Sequence, residues 1–219
     1  MEDKEFQKIL KKSRYRQTRK ILITLICILL PFVIGSLAYM YIYNYNPLEE
    51  EKVPGVKNNQ IVSTEEDLGA AVLLFDYLGQ VKLNAEANKM TFYVDYYEKD
   101  KLISHSEYFS AEAEEEGMMS GKFIFGIPTN DNHLLASFMT NDGKLGAQKE
   151  LENYNPHNEG IFWSSKNEIY ANQNIIKNQK MYLFYLGQTN RIYSEIEENI
   201  KPENLKNVDQ SFVLYLIFE

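Results

Sequence analysis

This sequence predicts a mainly β fold: one N-terminal transmembrane helix, then an antiparallel β-sandwich-like domain with room for a short helix. Three observations predict it. A run of 23 uncharged, largely apolar residues extends from Ile21 to Tyr43. Short apolar runs rich in β-branched and aromatic residues recur through the rest of the chain, and turn chemistry separates several of them. At 219 residues the chain holds one ordinary domain besides an anchor. A charged fraction of 25% and an aromatic fraction of 13% are those of a chain with a packed core.

The apolar run is long enough to cross a hydrocarbon core of about 30 Å at 1.5 Å per residue. Charge gives it a direction. Residues 1–20 carry eight Lys/Arg against three acids, net +5, whereas the rest of the chain is −13. Arg19 and Lys20 stand directly before the run and the first acid after it is Glu49, so the positive-inside rule puts the N-terminus in the cytoplasm of a cell membrane. Tyr39, Tyr41 and Tyr43 form an aromatic belt at the outer interface, and with Arg19 and Lys20 they are the expected anchor flanks. Ser36-Leu37-Ala38 is a passable signal-peptidase site, but the long basic region before it and the apolar residues beyond it favour a retained anchor. Cys27 lies inside the run, which excludes an intrachain disulfide and the small disulfide-stapled folds.

The expected boundaries are a basic tail at 1–20, the helix at 21–43, a linker at 44–60 and an extracytoplasmic β domain at 61–219. The linker reading rests on two prolines, a glycine and three successive glutamates without apolar period. About eight strands are expected, in AVLLFDYLG, VKLNA, MTFYVDYYEK, ISHSEYFS, GKFIFGI, LLASFMT, MYLFYLG and FVLYLIFE. Alternation is clearest from Thr91 to Glu98, and turns are expected at Glu98–Lys101 and Asn141–Lys144. Two segments carry helical signals: the start Ser63–Asp67, whose following AAVLLF run fits a strand equally well, and Asn190–Leu205, with isoleucines at 192, 196 and 200. YLGQ occurs at 77–80 and 185–188, with Gly79 and Gly187 expected to end strands in turns.

No catalytic pattern stands out. His105, His133 and His157 are dispersed, without metal-ligand spacing, and neither a nucleophile elbow nor a phosphate loop is present. The acids Glu112, Glu114, Glu115 and Glu116 lack a calcium-loop pattern and read as a solvated run. Trp163 reads as core, beside a loop at 154–163 of the kind that carries recognition. No catalytic, cofactor-binding or metal residues are therefore assigned, and no cofactor is expected. The acidic domain argues against nucleic acid as a partner. The lipid bilayer and a protein in or outside it are the expected partners.

The opening residues Asp3-Lys4-Glu5-Phe6-Gln7-Lys8-Ile9-Leu10-Lys11-Lys12-Ser13-Arg14-Tyr15-Arg16, running into the apolar span, resemble the N-terminal segment of Gram-positive bacterial sigma factor regulators. The resemblance covers about 40 of 219 residues. It implies a membrane-anchored modulator of an extracytoplasmic-function sigma factor. The chain departs from the zinc-containing anti-sigma factors, having no cytosolic His-x-x-x-Cys-x-x-Cys, and its tail is short for clamping a sigma factor alone. The expected function is a non-enzymatic envelope protein whose β domain binds or senses something outside and signals through its helix. The alternatives are an immunity or accessory protein of a membrane transport system, and a cell-wall-acting enzyme with a carboxylate site.

Overall fold

The computed structural model describes residues 2–45, 52–64, 68–113, 117–154, 164–166, 173–188 and 202–219. Tail and apolar run form a single helix, α1 (Glu2–Ile42), which runs through Pro31 without ending. From Arg14 to Ile42 it is long and apolar enough to cross a membrane, and among the described residues nothing buries its apolar stretch. Ile21, Leu25, Leu29, Phe32 and Leu37 all stand exposed. A helix apolar all round is stable only where lipid or protein surrounds it.

The remainder is mainly β, as expected, in two antiparallel sheets. The strands are β1 (Gln60–Ser63), β2 (Phe75–Ala85), β3 (Lys89–Glu98), β4 (Lys101–Glu112), β5 (Met119–Pro128), β6 (His133–Met139), β7 (Lys144–Glu150), β8 (Ser164–Lys166), β9 (Gln173–Asn174), β10 (Met181–Gly187) and β11 (Gln210–Phe218). One sheet has the order β7-β6-β5-β2-β1-β9 and the other β4-β3-β11-β10-β8. Alternation puts Met90, Phe92, Val94 and Tyr96 of β3 and Phe212, Leu214, Leu216 and Phe218 of β11 between the sheets. Phe92 meets Phe123 edge to face at 5.0 Å, and Phe125 meets Phe184 similarly at 6.0 Å. Each fully buried aromatic or aliphatic side chain there is worth roughly 1.5–3 kcal/mol. The hairpin turns at Glu98–Lys101 and Asn141–Lys144 form where turn chemistry placed them; Lys99 adopts φ 54°, and the Thr140 hydroxyl accepts from the amides of Asp142 and Gly143.

Several local expectations are corrected. AVLLF does not open a strand: Gly69–Leu74 is a short 3-10 helix, and the strand begins at Phe75. Nor does Gly79 end one. It sits within β2 opposite Phe125, whose ring occupies the space a Cβ would need, so FDYLG and VKLNA form one eleven-residue strand. Gly187 does end β10. Only Pro202–Leu205 of the predicted C-terminal helix is described, as a single turn α2, and residues 190–201 lie outside the described residues. So do Glu65–Asp67, Glu114–Glu116, Trp163 and most of its loop.

The edge strands β4 and β7 run along the same side of the sandwich. The Tyr108 hydroxyl donates to the Glu150 carbonyl at 2.8 Å, while the Lys149 ammonium, 4.8 Å above the Tyr108 ring, donates to the Glu107 carbonyl at 3.5 Å.

Candidate functional site

Two constellations stand apart from the hydrophobic core. The first is on the outer face of the five-stranded sheet. Odd-numbered residues of β3 and β11 point there, and a bulge between Tyr182 and Phe184 lets both Tyr182 and Tyr185 of β10 join them. At its centre is Asp95, 1% exposed although it lies outside the core. A carboxylate there keeps its charge only if donors replace water. They do: His105 Nδ1 lies 2.6 Å from Oδ1, the Tyr215 hydroxyl donates to Oδ1 at 3.0 Å, and the Lys180 ammonium donates to Oδ2 at 2.8 Å. With its proton on Nδ1, His105 donates to the carboxylate and turns Nε2 away from it.

Aromatic rings wall this centre. Tyr93 stacks on His105 at 4.8 Å and on Tyr215 at 5.6 Å, and Tyr182 meets Tyr215 edge-on at 5.9 Å. The Lys180 ammonium sits 4.3 Å from the Tyr215 ring centroid, so it contacts an anion and a π face together. The side chains of Lys180 and His105 are 40% and 51% exposed, which makes them the mouth of the site and Asp95 its floor. Burial, then the Asp95 charge, push the Tyr97 hydroxyl up to about 12, and the same two causes raise Tyr215 further.

An alkaline transition follows from these shifts. Below the ordinary tyrosine value of 10 both folded and unfolded chains hold these protons, and pH has no leverage through them. Above it the unfolded chain ionises first, so stability falls between about pH 10 and 12. Tyrosinate absorbance is expected to rise together with loss of β circular dichroism in that window; ionisation of the whole set near pH 10 in a folded chain would contradict it.

The second constellation joins α1 to the sandwich. Asn84, at the end of β2 and 0% exposed, donates from Nδ2 to the carbonyls of Val53 at 3.0 Å and Val56 at 2.8 Å, and its Oδ1 accepts from the Val53 amide at 2.8 Å. Asn44, just past the end of α1 in the left-handed region at φ 54°, is buried and donates to the Val56 carbonyl at 2.6 Å. The Gly55 amide donates to the Tyr43 carbonyl at 2.8 Å. Residues 52–60, expected as a linker, are thus bound to the sheet, because two asparagines satisfy their backbone in place of water.

Of the expected anchor flanks, the structure gathers some and leaves others alone. Tyr39 packs on Tyr43 at 4.6 Å and lies 6.1 Å from Tyr45, and Lys57 sits 4.8 Å over the Tyr43 ring. Tyr41 is exposed, as are Arg19 and Lys20. The histidines stay dispersed: His133 pairs locally with Asp131, whose carboxyl its hydrogen bond holds low, and His157 lies outside the described residues. Among the described residues no three His, Cys, Asp or Glu side chains converge on a metal position. Asp95, His105, Lys180, Tyr215, Asn44 and Asn84 are the site residues that sequence reasoning missed. The signal for Asp95 was a lone charge amid the apolar alternation of MTFYVDYY.

The model of one family, described as YgaN domain, matches residues 74–218, which takes in Asp95, His105, Lys180, Tyr215 and Asn84. No curated protein and no solved structure matches the chain.

Proposed function

The chain belongs to the YgaN domain family, and on that premise we propose that it is a single-pass membrane protein whose β domain stands outside the cell and binds or senses a partner there without catalysing a reaction. The observation that carries this reading is the junction. With Gly55 bonded to Tyr43, and Asn44 and Asn84 both bonded to Val56, a displacement at the base of the domain is passed to α1 instead of being absorbed by a slack tether. Arg19 and Lys20 at one end of the span and the acidic domain at the other support the orientation. On the domain side, Asp95 supports the binding role. An apolar residue would serve sheet packing as well at lower desolvation cost, so a paired charge on the outer face favours recognition.

Sigma-factor regulation is the form of signalling to which the N-terminal resemblance points. The accessory form differs in its partner. Protease added to intact cells is expected to remove the β domain and leave a fragment containing residues 1–20. Cross-linking in cells, followed by detergent purification of the full chain, is expected to yield a sigma factor in the first form and a transporter subunit in the second. A chain protected from protease in intact cells, or recovered alone, overturns the proposal.

A further inference from the structure

Lys180 sits where a ligand's ammonium would sit. Its Nζ lies between the Asp95 carboxylate and the face of Tyr215, with the edge of Tyr182 against the same ring. An anion beside an electron-rich ring face is the chemistry that selects a cationic nitrogen. We infer that this cage is a receptor for a primary ammonium on a short alkyl chain, and that Lys180 is its resident internal competitor; this rests on reading the β domain as a binding domain.

Three features support exchange at this position. First, Lys180 belongs to the segment before β10, so its withdrawal breaks no strand pairing. Second, the two carboxylate oxygens are served separately. Lys180 occupies Oδ2, while His105 and Tyr215 hold Oδ1 and the Tyr97 hydroxyl also bonds the carboxylate, so Asp95 keeps these other donors when Lys180 leaves. Third, the Lys180 side chain is 40% exposed, so the cage opens to solvent along the path of its stem. A tethered group of this kind acts at an effective concentration on the order of millimolar. A free or peptide-borne amine competes with it at similar concentrations, and more readily once the tethered one is removed.

The shared chemistry admits two sources: a small free amine and a lysine side chain of a partner protein. The test uses the full chain in detergent micelles, with n-butylammonium chloride and a lysine dipeptide as probes. Sodium chloride at equal ionic strength, butanol and the Nε-acetylated dipeptide serve as controls. In Lys180→Ala, thermal melting and amide shifts on β3 and β11 are expected to respond to butylammonium at concentrations at least tenfold lower than in the wild type. The controls should give no response, and adding Asp95→Asn should abolish it. Lys180→Gln, which keeps a polar stem, is expected to behave like Lys180→Ala and guards against a folding defect in one variant. A lower requirement for the dipeptide than for butylammonium assigns the site to a partner's lysine, and the reverse assigns it to a small amine; either order supports the inference. Equal responses in wild type and both variants, or responses matched by sodium chloride, overturn it. That failure leaves the broader reading standing if cross-linked partners are still recovered with the chain.

Discussion

A chain carrying both Lys180→Ala and His105→Ala is expected to lose about 3–5 kcal/mol of stability, the cost of leaving a buried charge without compensation. Asp95, 1% exposed with both side chains in place, would keep only tyrosine hydroxyls as donors from the protein. Asp95→Leu is expected to be milder, about 1–3 kcal/mol, although it removes the centre of the cluster. It takes away the charge that needs compensation, lets Lys180 and His105 turn to water from their half-exposed positions, and leaves the Tyr215 hydroxyl as the main unsatisfied group. The asymmetry is the informative quantity. Denaturant melts of the detergent-solubilised full chain measure both, and a double variant no less stable than Asp95→Leu would mean that Asp95 is neutral in the fold.

Asn84→Leu is expected to have the next largest effect and a different character. It strands the half-buried Val53 amide, at about 1–3 kcal/mol for a group left without a partner, and takes one donor from each of the carbonyls of Val53 and Val56. The Val56 carbonyl still accepts from Asn44 and the Val53 carbonyl from the Val56 amide, so the loss should fall mainly on the Val53 amide. Hydrogen exchange resolves this. The Val53 amide should lose protection while amides in the β3–β11 ladder keep theirs, because that ladder lies in the other sheet. Uniform loss of protection would place Asn84 in the global fold instead of the junction. Under the proposed signalling role, this variant also uncouples α1 from the domain without touching the Asp95 cage.

How much of this was legible in the residues depends on the range of the interaction. Period-two alternation from Thr91 to Glu98 and the turn at Glu98–Lys101 are local, and both gave the hairpin of β3 and β4. Partner identity across that hairpin was not local. Counting back from the turn without irregularity sets Asp95 opposite Ser104; a bulge at Ile103 shifts the register and brings His105 there instead. Lys180 and Tyr215 are 85 and 120 positions from Asp95, and no spacing rule reaches that far. Asn84 looked like a strand residue of no note, since nothing in VKLNA tells that its amide faces the chain segment leaving the helix. Gly79 was misread because a glycine that ends a strand and one that admits a neighbour's ring look the same until Phe125 is placed.

The bridge between β4 and β7 bears on how the chain behaves when crowded. An uncovered strand edge offers its carbonyls and amides to any extended segment that drifts past, and so seeds intermolecular sheet growth. Tyr108 and Lys149 occupy one carbonyl on each of two neighbouring edges and lay a ring and an ammonium across the gap. Under the proposed membrane anchoring, copies of the chain meet at high local density, facing in a common direction. Along this side, a colliding segment finds two of the carbonyls already taken and a ring and an ammonium lying across the gap, which disfavours strand addition there.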